Sequence, residues 1–361
     1  MDTVFYKSNC DEVVERLSLL YEHRVQDRIF ALFEIPSQTL ADYLKKHPEG
    51  FCSYPEQAER IVFWDNYLKE KKEILDDSMP GAYLSEFDQG LYGGLVGGDV
   101  QFICHDNGWI SSMVSPILKD LSEFGSLSYD ESHPWFQRYT GQMEIFVEGA
   151  GDKFGISHFI MIDGLNFAFE LVGATRTYEG LFENPEIIRR VIAFAYDLNV
   201  MVQEKFFECV PMFRGGTFSN MVQWIPGRII SESVDPFHMT SVDYFEEWGR
   251  ENVERIFAEF DGGVLHIHGN GRHLLEAVST LNGLKAVYLG DDRGFSMAFD
   301  VLNELKGKTS DIPLVVSVEY KNFIKKLDRH EVPGGVLYKV TGTPDADTAK
   351  KCMDLVRSYR I

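Results

Sequence analysis

From residue 263 onward the chain alternates with a regularity that few architectures tolerate. Residues 263–268, 284–290, 313–319 and 335–341 are short apolar runs rich in Val, Leu and Ile, and helical patterns follow over 272–281, 295–306, 321–329 and 345–359. Four successive strand–helix units imply parallel strands, because a parallel pair needs a long crossover rather than a tight turn. Earlier elements fit the same plan. Val13, Val14, Leu17, Leu20 and Tyr21 predict a helix over 9–26, and residues 28–36 read as a buried strand stopped by Pro36. Pro55 and Glu56 open a helix over 55–76, residues 155–163 read as a strand, and Asn184-Pro185 starts a helix to about 209. Ser241 caps a helix over 242–260, whereas 78–100, rich in Gly, Tyr and Phe, reads as a loop region with short elements. An open doubly wound sheet and a closed barrel both satisfy this order. The strand count, and the lack of a GxGxxG after the first strand, favour a (β/α)8 TIM barrel. With no linker and no internal repeat, 1–361 reads as one domain, residues 1–27 being an N-terminal helical extension.

Charge narrows the partners. Asp and Glu number 56 against 35 Lys and Arg, a formal net charge of −21, which repels phosphate backbones and anionic lipid heads. Neither nucleic acid nor a membrane is therefore an expected partner. Cys10, Cys52, Cys104, Cys209 and Cys352 are scattered with no CxxC pair, and no apolar run approaches a membrane span, so a reducing, cytoplasmic setting is expected. P-loop, HExxH, GxSxG and EF-hand patterns are missing.

Ligands of parallel α/β folds sit beyond the carboxyl ends of the strands, so polar residues there carry the information. In GGVLHIHGNGRH, alternation sends Leu265 and Ile267 toward helices, and His266 and His268 into the mouth. Two imidazoles on one face can bind a metal, shuttle protons, or simply hydrogen-bond near the axis. Ser317 with Glu319, and Lys339 with Thr341, repeat the inward polar pattern, and a Glu319–Lys339 salt bridge is the structural alternative. Asp163 ends the strand 155–163. Between residues 209 and 241, Arg214, Trp224, Arg228 and Asp235 are candidates for holding a polar or anionic substrate, and His105, Asp106 and Trp109 form another polar–aromatic cluster.

Several segments, in order along the chain, resemble the uroporphyrinogen decarboxylase-like superfamily. HIHGNGRHLLEAVSTLNGLKAVYLGDD is similar to its strand–helix–strand segment, LVGATRTYEGLFENPEIIRRVI to its Gly-containing helix and D-N-P-E helix start, and VDPFHMTSVDYFEEW to its Asp before a Ser-capped helix. EHRVQDRIFALFEIP resembles the charged helix leading into strand one. The resemblance implies a (β/α)8 barrel with one of two chemistries: cofactor-free decarboxylation, or zinc-dependent methyl transfer involving a corrinoid protein. It places His266 on the first metal-ligand histidine, His268 where the methyltransferases have a zinc-bound cysteine, and Thr341 where they have a second. A His, Cys, Cys site is thus replaced, and zinc or another divalent metal would be held by His266, His268 and an oxygen ligand such as Glu319 or Asp291. The expected function is methyl transfer from a small methylated substrate to a corrinoid on a partner protein. Trp224 and Arg228 would position the substrate, while Asp163 or Asp235 would supply hydrogen bonds or a proton. The alternatives are a metal-independent decarboxylase, with Arg214 or Arg228 gripping a carboxylate and a histidine protonating the carbanion, and a barrel that binds a ligand without catalysis.

Overall fold

A computed structural model describes residues 1–47, 55–105 and 108–361, so Cys52 and Asp106 lie outside the described residues. The strands are β1 (Ile29–Phe33), β2 (Gly81–Tyr83), β3 (Val100–Cys104), β4 (Ile110–Val114), β5 (Gly155–His158), β6 (Met161–Ile162) and β7 (Gly216–Ser219). They continue with β8 (Gln223–Pro226), β9 (Ile230–Ser233), β10 (Gly263–Ile267), β11 (Leu284–Leu289), β12 (Leu314–Glu319) and β13 (Val336–Thr341). Seven form a parallel sheet in the order β1-β13-β12-β11-β10-β9-β6. Residues Phe159 and Ile160 link β6 to β5, which pairs in parallel with β2. The parallel strands therefore follow chain order, with helices between them: an alternating α/β architecture with a largely parallel central sheet.

At the free edge of β1, side chains stand in for a neighbouring strand. The Ala31 N–H donates to Asp77 Oδ2 at 2.9 Å and the Phe33 N–H to Asp76 Oδ2 at 2.8 Å, while the Asp77 N–H donates to the Ala31 carbonyl at 3.0 Å. These carboxylates are themselves compensated, Asp77 by Arg16 at 2.5 Å and Asp76 by Lys7 at 2.7 Å. The free edge of β1 is thus covered by two aspartates four to five residues ahead of β2.

Strand alternation sorts the core into two layers. Leu265, Ile267, Val316, Val318, Tyr338 and Val340 join the cluster beneath the helices. Phe30, Leu32, Val264, Ala286, Val315 and Leu337 face the other way, into a cluster completed by the helix Cys10–Tyr21 and the hairpin β7–β8. Val13, Leu17, Leu20 and Tyr21 are buried. At roughly 1.5–3 kcal/mol for each fully buried apolar side chain, that helix is a plug in the core. It packs on the sheet face turned away from the helices, and the carboxyl ends of the strands project past it.

Departures from the sequence reading have local causes. The helix predicted over 242–260 is two, Val242–Trp248 and Arg250–Glu259, broken at Gly249, where a Cβ would meet Phe245 and Phe237 within 2.9 Å. The helix predicted over 272–281 becomes a 3-10 turn Gly269–Leu274 followed by Leu275–Val278, and that over 295–306 contracts to Leu302–Lys308. The region 78–100 contains β2, a 3-10 turn Ser85–Phe87 and the helix Gly90–Leu95. Among the described residues, no helix is long and apolar enough to cross a membrane.

Candidate metal centre

His266 lies on the inward face of β10, two residues beyond Val264, and its register partner on β9 is Ser233. Two residues past Ser233 the chain reaches Asp235, which opens a short 3-10 turn. Adjacent parallel strands ending together therefore deliver a carboxylate beside an imidazole. His268, one residue after β10, brings a second ring; the His266 and His268 centroids lie 4.6 Å apart at 71°. Asp235 Oδ1 is 3.5 Å from His266 Nε2 and 4.0 Å from His268 Nε2, and donor atoms of the three residues lie within 4.8 Å of one another.

At 3.5 and 4.0 Å these separations are longer than ordinary hydrogen bonds, and the shorter one matches two atoms sharing an ion. Asp235 Oδ1 is buried without a hydrogen bond, as is His266 Nδ1. Ligand bonds of about 2.0–2.2 Å in a tetrahedron place ligand atoms roughly 3.3–3.6 Å apart. The donor set therefore suits a divalent metal. His268 is oriented for it: Nδ1 lies 2.9 Å from Asp292 Oδ1, whose other oxygen accepts the Gly269 N–H at 2.7 Å. A carboxylate on Nδ1 fixes the tautomer and leaves the Nε2 lone pair toward Asp235. Burial opposes charge on Asp292, but His268 and the Gly269 N–H outweigh it and hold the carboxyl below its ordinary range. Burial pushes the His266 pKa down, and His268 adds to this against the opposing pull of Asp235, which favours the neutral, metal-ligating imidazole.

His238 stands behind Asp235, with Nδ1 3.6 Å from Oδ1 and Nε2 buried without a partner. Burial lowers its pKa to about 4. Gly271 makes room for it, since a Cβ there would come within 2.1 Å of the His238 ring. In front of the cluster is a cavity of about 360 Å³, walled by Tyr83, Asp88, Gln89, His105, Trp109 and the β4 residues Ser111 to Met113. Asp88 is half-buried, and burial together with Asp235 raises its pKa to about 7.

The sequence candidates separate clearly. His266, His268, Asp235 and His105 line this cavity. The His105 ring nitrogen Nε2 lies 2.7 Å from Ser111 Oγ. Glu319 and Thr341 pair with each other at the ends of β12 and β13, and Glu319 is outside the cluster because β11 separates its strand from β10. Asp291 pairs with Arg272 at 3.0 Å. Trp224, Arg214 and Arg228 do not line the cavity. Trp224 belongs to the plug and donates from Nε1 to the Phe213 carbonyl at 2.9 Å, Arg214 pairs with Asp11 at 2.5 Å, and Arg228 with Glu204 at 2.6 Å. Arg228 precedes β9, and β7–β8 packs into the plug, so all three follow from the hairpin rather than from the open end. Asp88, His238 and Asp292 were not legible as site residues; of these only Asp292, in the Gly-Asp-Asp after β11, carries a strand-end signal.

Asp163 caps the helix Gly164–Val172, accepting the Leu165 N–H at 2.7 Å and the Asn166 N–H at 3.2 Å, with Oδ2 buried and unpartnered. Burial raises its pKa to about 7, against the lowering effect of the two N–H groups. Folded Asp163 therefore keeps a proton that the unfolded chain has lost, so its contribution to stability is present below about pH 4 and disappears as pH rises through 7. Asp163→Asn, which caps a helix equally well, is expected to remove that component. Subtracting the wild-type stability curve from the variant's, by denaturant unfolding between pH 4 and 8, should give a difference that rises through this window; a flat difference would contradict a neutral Asp163.

No protein-family model and no curated protein matches the chain. Among solved structures, it is similar to a methyltransferase from Methanosarcina mazei, with a TM-score of 0.61 and 13% sequence identity over 96% of this chain and 98% of the other. At that identity the likeness establishes a shared fold.

Proposed function

We propose that the chain is a metal-dependent methyltransferase: a single (β/α)8-barrel domain, closed at the β1/β2 seam by Asp76 and Asp77, that moves a methyl group from a small methylated substrate to a corrinoid on a partner protein. The observation that carries this reading is the Asp235, His266, His268 donor set at neighbouring strand ends. The full-length fold likeness to a methyltransferase supports it, as do the segments resembling the uroporphyrinogen decarboxylase-like superfamily. Two nitrogens and an oxygen suit zinc or another divalent ion of borderline softness. Such an ion, when bound, supplies Lewis acidity to a methyl-bearing oxygen or nitrogen.

The chain's own groups do the rest. Asp292 orients His268, and buried His266 stays neutral. Asp88, with a pKa of about 7, holds a proton at the cavity wall for the departing group. Tyr83 and Trp109, with ring centroids 5.0 Å apart and planes tilted by 59°, give the cavity an aromatic side. Around the opening, Met113, Met239, Phe295 and Met297 are 45–72% exposed, which suits the approach of another protein. Free Cys10, Cys209 and Cys352 are in keeping with a cytoplasmic setting.

Elemental analysis of protein purified without chelator tests the reading. About one zinc or other divalent ion per chain is expected for the wild type, and little in folded His266→Ala. Wild-type protein that neither retains nor takes up a divalent ion would overturn it.

A further inference from the structure

Lys339 is a half-buried cation. It follows Leu337 on the inward face of β13, and its register partner on β12 is Ser317. The salt bridge to Glu319 that the sequence allows does not form: Glu319 stands opposite Thr341 at the end of β12 and is exposed. Lys339 Nζ instead donates to the Asn220 carbonyl at 2.9 Å and lies 4.8 Å from the centre of the Tyr288 ring. An ammonium has three donors, and the Asn220 carbonyl takes one, which leaves two for solvent or a ligand. Among the described residues it has no acidic partner. A half-buried ammonium that faces a cavity with donors to spare is placed to take an anionic partner.

The space before it is the slot in the β1/β2 seam. Because aspartate side chains rather than a ladder join β1 to the segment ahead of β2, a cavity of about 140 Å³ runs from Leu32, Lys339 and Asn220 inside to Trp64 and Lys71 of the outer layer. At about 10–15 Å³ for a water-sized group, that holds roughly ten such groups. Its ionic lining is Lys7, Lys71 and Lys339 against Glu34. Lys7 is neutralised by Asp76. A cationic recess is notable in a chain with a net charge of −21. Aromatic rings make up much of the remaining wall, and two of them, Tyr83 and Trp109, also border the cavity of the metal centre.

We infer that this chamber binds a small organic carboxylate with a flat apolar body, its anionic end on Lys339. Identifying the occupant as substrate rests on the methyl-transfer reading; the anion site does not, since none of its groups belongs to the metal cluster. Benzoate, benzamide and acetate are suitable probes, followed by calorimetry and by quenching of the tryptophan emission. Benzoate should bind saturably and roughly tenfold or more tighter than either neutral benzamide or apolar-poor acetate. Lys339→Gln should bring benzoate down to the benzamide level, Lys339→Arg should retain most of the binding, and His266→Ala, stripped of metal, should bind benzoate as the wild type does. Should Lys339→Gln fail to fold, the wild-type benzoate preference and its loss at high salt decide the matter. Equal binding of benzoate and benzamide, acetate matching benzoate, an unaltered folded Lys339→Gln, or no saturable benzoate binding would each overturn the proposal. Failure of the metal assay with intact benzoate binding would remove the methyl-transfer reading alone.

Discussion

Asp235→Ala is expected to lower divalent-metal affinity by more than the roughly 10–100-fold typical of losing an outer partner of a ligand, while Glu319→Ala leaves it unchanged. The reason is strand adjacency. Asp235 follows β9, which pairs directly with β10, so its Oδ1 stands 3.5 Å from His266 Nε2. Glu319 ends β12, with β11 between it and the histidines. Competition titration with a chromophoric chelator measures both variants on one scale, and Asp292→Asn supplies an internal ruler, because it removes only the group that fixes His268. Equal losses in Asp235→Ala and Glu319→Ala would mean that the metal is bound elsewhere.

Arg60→Ala is expected to destabilise the fold by about 3–5 kcal/mol, the usual result of stripping one partner from a buried ion pair. Arg60 and Glu86 are both fully buried and in contact. Arg60 also donates to Tyr43 Oη at 3.0 Å and to the Gly108 carbonyl at 3.2 Å, while Glu86 accepts Gln142 Nε2 at 3.0 Å. Replacing both charges at once, Arg60→Met with Glu86→Leu, should recover much of the loss, since no isolated charge remains. The consequence reaches the site, because Glu86 sits in the short turn immediately before Asp88 and Gln89, which wall the metal cavity. Denaturant unfolding gives the first number. Hydrogen exchange over 85–92 tests the second, and unchanged protection there in Arg60→Ala would separate the pair from the cavity.

Those two substitutions also mark what the sequence could and could not reveal. His266 and His268 were legible because strand alternation is local: Leu265 and Ile267 declare one face, and the histidines must take the other. Asp235 was visible as a polar residue, yet its role depends on which strand lies beside β10, a fact of register that no window of neighbouring residues contains. Trp224, Arg214 and Arg228 lie away from the cavity for the same reason. Their segment folds as the hairpin β7–β8 into the plugged end, and residues such as Gly215 and Gly227, with φ of 70° and 96°, read as loop before the pairing is known. Helices broke where tertiary contacts overrode periodicity, as at Gly249 between Phe245 and Phe237. Lys339 is the opposite case. Its inward face follows from alternation, whereas a salt bridge to Glu319 depends on side-chain rotamers, and Lys339 takes the Asn220 carbonyl instead.

The seam at β1 has a further meaning for how such a wall can change. A backbone ladder is independent of side-chain identity, so most substitutions leave the joint between two strands intact. The joint beside β1 is written in two residues, Asp76 and Asp77, and in the Lys7 and Arg16 that balance them. Single-codon changes can therefore widen, narrow or reshape this one gap while every other strand junction stays fixed. Variation in what the cavity beside β1 admits should concentrate there, in four side chains rather than in the scaffold.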